Sequence, residues 1–338
     1  MPSSEPYNQR RFLISRTDSI GDVVLTLPIA GVLKQLYPDC FIAFLGKTYT
    51  KPIIDCCTNI DAFLDWSMLA DFSFQTIVNQ VIDYRFDTVI HVFPNKKIAE
   101  ISQKAKIPIR IGTRSRLYHW WLCNKRIALS RKKSDLHEAQ LNLKLIEVLG
   151  AKKQYELIEI QSLFGFNAPK IEESFLNLIA KEKVNLILHP KSRGSAREWG
   201  MENFGKLIEI LPENQYNIFI TGTGEEGKLM QDFLKKYENK VHDLTGKMTL
   251  MQMIAFVNSC DAMLAASTGT LHIAAVLGKV AIGLFAPMRP IFPQRWAPIG
   301  LKARVLVKPG NCNDCRKNND CFCIRELTPE MVLQALTT

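Results

Sequence analysis

A chain of 338 residues is long enough for two domains of ordinary size, and 47% hydrophobic against 22% charged residues excludes a disordered chain. Lys plus Arg number 43 and Asp plus Glu 33, so the net charge is +10 and an anionic partner is expected. No run reaches the roughly 18 uncharged apolar residues of a membrane-spanning helix, the best (274–287) being interrupted by Lys279. The polar stretch Met1 to Arg11 lacks an apolar targeting core, and an odd total of nine cysteines points to a reducing, cytoplasmic setting.

In chain order, Arg11 to Arg16 reads as an apolar strand. Ser19 to Tyr37 carries helical spacing, with Val24, Leu27, Ala30 and Leu33 on one face. Short strands follow at Phe41 to Leu45, Ala62 to Trp66, Thr88 to Val92 and Ile107 to Ile111, with His137 to Leu149 as an amphipathic helix. A weakly patterned segment, Gln161 to Lys170, marks the domain boundary. Strands then recur at Asn185 to His189, Asn217 to Thr221, Ala262 to Ala265 and Val280 to Leu284. Helices alternate with them at Met201 to Leu211, Glu225 to Tyr237, Thr249 to Ser259 and Thr270 to Leu277. Such alternation implies α/β architecture with parallel sheets covered on both faces. The expected domains are 1–165 and 170–310, both Rossmann-like and facing a cleft. A Cys-rich segment and terminal helix (311–338) follow.

Ligands bind at the carboxyl ends of strands in such sheets, and polar motifs stand there. The first, Ser15 to Asp22, has Gly21 for a tight turn and Asp22 at a helix start, as a capping carboxylate or a general base. The loop His189 to Trp199 offers Ser192 and Arg197 for a diphosphate, or is an ordinary basic loop. Thr221 to Gly227 is a glycine turn whose Glu225 and Glu226 suit ribose hydroxyls better than phosphate. In Ala266 to His272, helix amides with Thr268 and Thr270 suit a phosphate, and His272 is a ligand contact or a structural histidine. Arg110, Arg114 and Arg116 open a basic segment running to Lys133, either a solubilising face or a dock for an anionic acceptor. No nucleic-acid-binding motif accompanies it. Cys312, Cys315, Cys321 and Cys323 fall within twelve residues and suit structural zinc or iron, reduced thiols or disulfides.

Together these motifs resemble glycosyltransferase family 9, the ADP-heptose:lipopolysaccharide heptosyltransferases. The resemblance runs through Arg16 to Pro28, Arg110-Ile111-Gly112, His137-Glu138, Arg197-Glu198-Trp199, Leu244 to Leu250, Ser267 to Ala275 and Gly283 to Pro287. It implies a GT-B fold and an inverting transfer that needs no metal for its chemistry. By the resemblance, Asp22 is the general base. Ser192 and Arg197 meet the donor phosphates, Glu226 the ribose and Met248 the adenine. Ser267, Thr268, Gly269, Thr270 and His272 form the donor loop, with Ser267 where the family usually carries aspartate. Ser19, Gly21, Arg110, Arg114 and Arg116 are expected on the acceptor side. The implied partners are an ADP-sugar and an anionic glycolipid at the inner face of the cytoplasmic membrane. A nucleotide-sugar epimerase and a non-catalytic sugar-nucleotide or glycan binder are the alternatives.

Overall fold

The structure is a computed structural model that describes residues 9–131, 133–192, 194, 196–310, 312 and 322–337. The chain divides into two compact units, one of Met1–Ser134 with Glu138–Gly165 and one of Asp135–His137 with Phe166–Thr338.

The first unit is a six-stranded sheet of β1 (Arg11–Ser15), β2 (Phe41–Gly46), β3 (Ala62–Asp65), β4 (Thr88–His91), β5 (Ile109–Thr113) and β6 (Lys125–Ile127). Their spatial order is β3-β2-β1-β4-β5-β6. The second unit holds β7 (Val184–His189), β8 (Tyr216–Ile220), β9 (Val241–Asp243), β10 (Ala262–Ala266), β11 (Val280–Phe285) and β12 (Ala303–Val307), in the order β12-β11-β10-β7-β8-β9. Every pairing is parallel. Each unit is thus doubly wound, and its strand order reverses once, between β1 and β4 or between β7 and β10. The inner strands read as unbroken apolar runs because both faces are covered. Phe12, Leu13 and Ile14 on β1, Leu186 to Leu188 on β7 and Met263 to Ala265 on β10 are fully buried.

The terminal helix Pro329–Thr337 is too short to stand alone in water. Val332, with Leu327 and Ile324 just before it, enters the core of the second unit beside Trp199. Each such side chain contributes about 1.5–3 kcal/mol, and Trp199 Nε1 donates to the Leu327 carbonyl at 2.6 Å.

Several elements differ from the sequence expectation. The helix expected from Ser19 to Tyr37 is two helices, Ile20–Val24 and Leu27–Leu36. Pro28 has no N–H to continue the ladder, and Thr26 Oγ1 bonds the Asp22 carbonyl at 2.8 Å instead. Gly21 lies inside the first of these helices and has no positive φ, so the tight turn expected of it is not needed. The helix expected at Glu225 to Tyr237 breaks at Met230, and the one at His137 to Leu149 tightens to a 3-10 helix from Lys144. The strand expected at Ile107 to Ile111 runs from Ile109 to Thr113, after Pro108. The edge strands β6 and β9 are three residues each and carry no alternating or continuous apolar signal, and β12, though apolar in sequence, is only half-buried.

Candidate active site

In the first unit, the loop leaving β1 stands beside the reversal point. Its centre is Arg16, 3% exposed. The guanidinium donates to Asp18 at 2.6 Å, to Asp22, and to Glu138 at 3.2 Å and Asn142 at 3.3 Å. Burial works against that charge, but the carboxylates of Asp22, Asp18 and Glu138 outweigh it and hold the guanidinium protonated more firmly than usual. Arg131 supplies a second cation, reaching Glu138 at 2.8 Å and Asn142 at 2.8 Å. Asn142 in turn donates to the Leu25 carbonyl at 3.0 Å. The short helix bearing Asp22 is therefore tied to the helix Glu138–Leu143 by a buried network. Ser19 donates to the other Asp22 oxygen. Burial pushes the Asp18 carboxyl up against the opposing pull of Arg16. The side chain of Asp22 is 17% exposed, open to a substrate while its backbone is fixed.

At the end of β4, opposite Ser15 in the register, His91 is fully buried and neither ring nitrogen has a hydrogen-bond partner. Burial, with His119 and Arg110 nearby, lowers it to about 3. The three acceptor-side arginines are not brought together on a ligand. Arg110 donates to the carbonyls of Ile107 at 2.5 Å and Leu122 at 2.8 Å, and Arg114 to the Arg126 carbonyl at 3.3 Å. Arg116 is exposed.

In the second unit the loops after β7, β8 and β10 carry most of the residues expected on the donor side. His189 ends β7 and its Nδ1 meets Thr221 Oγ1 at 3.0 Å. Burial lowers its pKa, with Glu226 pulling the other way. Glu198, which had no assigned role in the sequence analysis, ties down the residues just after β7. It accepts from the Ser192 N–H at 3.1 Å and from Lys191 at 2.9 Å. The Ser192 hydroxyl bonds the Ala196 carbonyl at 2.9 Å and points into the loop. Arg197 is half-buried on the same loop.

The helix Gly224–Leu229 closes its own N-terminus. Thr223 and Glu226 form a reciprocal capping box, with Glu226 Oε2 accepting from the Thr223 N–H at 2.7 Å. Such an end does not offer its amides to a phosphate. The helix Gly269–Val276 is different, because its N-cap residue Thr268 makes no side-chain cap. The Thr268 and Thr270 hydroxyls lie 3.0 Å apart, with Ser267 immediately before them. One turn on, His272 is buried with Nδ1 unpartnered, and burial beside His137 lowers it to about 3. Met248 is half-buried after β9.

Of the tail cysteines, Cys312 and Cys323 both pack against Ala286, while Cys315 and Cys321 lie outside the described residues. Among the described residues no group of three His, Cys, Asp or Glu is placed to hold a metal, and no helix is long and apolar enough to cross a membrane.

The comparisons with known proteins give these two doubly wound units, with polar loops at their strand ends, a family. The model of glycosyltransferase family 9 (heptosyltransferase) matches residues 75–323. The chain belongs to this family and is a glycosyltransferase. It is 25% identical over 295 residues to the lipopolysaccharide core heptosyltransferase OpsX of Haemophilus influenzae, covering 82% of this chain and 79% of that one. Its fold matches that of E. coli ADP-heptose lps heptosyltransferase II, at a TM-score of 0.75 and 18% identity, over 97% of this chain and 98% of that one. A family 9 glycosyltransferase from Veillonella parvula matches at a TM-score of 0.81 and 19% identity, over 99% and 98%. These whole-chain matches give the GT-B fold class expected from the sequence.

What sequence reasoning missed is the partner set of Asp22. Arg16 and Glu138 stand inside motifs that carry the resemblance, but they are 122 positions apart and their contact has no local signal. Glu198 likewise sits inside Arg197-Glu198-Trp199 without a spacing that marks it.

Proposed function

We propose that the chain transfers heptose from ADP-heptose, with inversion, to an anionic inner-core glycan of lipopolysaccharide carried on lipid at the cytoplasmic face of the membrane. The observation that carries this reading is Asp22. It is a carboxylate at a helix start beside the sheet reversal point, fixed by Arg16 and Ser19 yet open to solvent. The similarity to heptosyltransferases named for ADP-heptose and lipopolysaccharide core supports the substrates.

On this reading the second unit binds the donor. Its diphosphate lies on the uncapped amides of Gly269–Val276, with the Thr268 and Thr270 hydroxyls and Arg197 adding donors. Glu226 reaches the ribose, and Met248 lies against the adenine. Ser267 keeps a hydrogen-bonding group near the sugar without a charge. Ser19, Gly21 and the segment Arg110, Arg114 and Arg116 face the acceptor. An acceptor hydroxyl oxygen attacks the anomeric carbon as that carbon's bond to the ADP oxygen breaks, and Asp22 takes the hydroxyl proton. The negative charge that leaves on ADP is met by Arg197 and the helix N-terminus. Asp22→Asn is expected to lower kcat with ADP-heptose by about 100-fold or more while leaving ADP affinity unchanged by calorimetry. Near-normal turnover would remove Asp22 from the mechanism.

No cofactor enters this chemistry. A structural role for zinc or iron at the tail is a separate proposal, which rests on the sequence spacing of Cys312, Cys315, Cys321 and Cys323. Metal analysis of the purified protein is expected to give a stoichiometric ion that Cys312→Ser with Cys323→Ser removes; absence of metal from the wild type ends that proposal.

A further inference from the structure

The turn after β5 presents a cluster of exposed apolar side chains within one short segment. Leu117 is 77% exposed, Trp120 50% and Trp121 72%. Isolated surface leucines need no explanation, but two adjacent exposed tryptophans beside an exposed leucine form a patch that water penalises. The turn that holds them is built, not loose. His119 at its centre is buried, with Nδ1 at 3.0 Å from both the N–H and the carbonyl of Thr113. It fits there because Gly112 has no Cβ, which would come within 2.7 Å of the ring. Gln103 holds the Trp121 carbonyl at 3.0 Å. Turning His119 inward leaves Trp120 and Trp121 facing out.

The surrounding charge is of one sign. Between Glu100 and Asp135 the chain carries ten lysines and arginines and no acidic residue. Arg114, Arg116 and Lys125 are exposed around the patch, and Arg126 lies over the Trp120 ring at 5.1 Å while donating to the Trp120 carbonyl at 2.8 Å. Tryptophan favours the headgroup level of a bilayer, where its ring is buried and its N–H stays wet. Basic residues beside it add attraction to anionic headgroups.

We propose that the surface of Leu117, Trp120 and Trp121 with Arg114, Arg116 and Lys125 docks the first unit on an anionic lipid bilayer. Its location gives the docking a purpose, which rests on the lipid-borne acceptor proposed above. The segment leaves β5 at the carboxyl edge of the sheet, the edge at which Asp22 follows β1. Only β4 separates those strands, two inter-strand steps of about 4.8 Å. Lipid held at the tryptophans thus keeps a short headgroup glycan at the sheet edge that carries Asp22.

The test is co-sedimentation of the full chain with vesicles, with neither donor nor acceptor present, so it is independent of whether heptose is transferred. Binding is expected to phosphatidylethanolamine–phosphatidylglycerol vesicles, at least about tenfold tighter than to phosphatidylcholine vesicles and weakening as salt rises. Leu117→Ser with Trp121→Ser is expected to lose about tenfold or more of that binding. These side chains are solvent-exposed, so the melting temperature should be unchanged, and Trp121→Ala alone gives a milder version of the same loss. No binding of the wild type to the anionic vesicles overturns the proposal. So does equal binding by the double variant, or a self-associated wild type whose oligomer, rather than its vesicle binding, is lost in the variant.

Discussion

Asp22 depends on a residue that does no chemistry. Arg16 is buried and serves three carboxylates, two of them at the site and one on a distant helix. Removing one member of such a set leaves uncompensated charges in a place with little water, which costs about 3–5 kcal/mol. Arg16→Met is therefore expected to lower the unfolding free energy in urea by that amount, and to lower kcat because Asp22 loses the group that orients it. Arg16→Lys keeps the charge but not the fork that spans the carboxylates, so it should recover part of the stability and less of the turnover. A loss under about 1 kcal/mol in Arg16→Met would mean that water already satisfies these carboxylates. The place of Asp22, at a helix start after a strand, was legible in the sequence. The network behind it was not, because Glu138 and Asn142 reach its partner Arg16 from more than a hundred positions away, and Arg131 joins them there.

Among the elements, capping decides which helix end can receive an anion. Thr221 to Gly227 carries three glycines, but Thr223 and Glu226 close that helix on itself. Ser267 to Thr270 looks plainer, yet its helix begins with no side-chain cap and with two hydroxyls at its mouth. A Thr-x-x-Glu pattern is readable as a capping box from sequence alone, and it adds to the two acids at that helix start, which already made Thr221 to Gly227 the poorer phosphate cradle in sequence. The inner strands were legible because parallel strands buried on both faces must be continuously apolar. The edge strands Lys125-Arg126-Ile127 and Val241-His242-Asp243 were not, since three residues with one apolar side chain each carry no strand period. The break at Thr26 was signalled by Pro28, which periodicity overrode in the reading of one long helix.

At the scale of the whole molecule, both sheets end in buried neutral histidines. His91 at the end of β4 and His272 beyond β10 are each lowered by burial to about 3, and His119 and His189 are lowered for the same reason. An unfolded chain protonates histidine below about pH 6.5, whereas the folded chain cannot do so until the pH is far lower. Between those values the unfolded state binds more protons, so stability is full above pH 6.5 and declines as the pH falls. Each histidine with no folded-state protonation contributes a slope of at most about 1.4 kcal/mol per pH unit. Exposed carboxylates such as Glu159, Glu202 and Glu209 are lowered by their lysine or tyrosine partners and act in the same direction, but only below the ordinary carboxylate range. Asp18, raised by burial, acts in the opposite direction, above the ordinary carboxylate value. In the interval from pH 6.5 to about 5 the several histidines therefore act together, with Asp18 the one resolved carboxylate opposing them. Urea unfolding across it should show stability falling steadily toward acid. His91→Gln removes one proton site while leaving a polar side chain next to Ser15, and should flatten the decline by about one histidine's share. An unchanged slope in His91→Gln would mean that His91 takes up its proton in the folded state, with water reaching the end of β4.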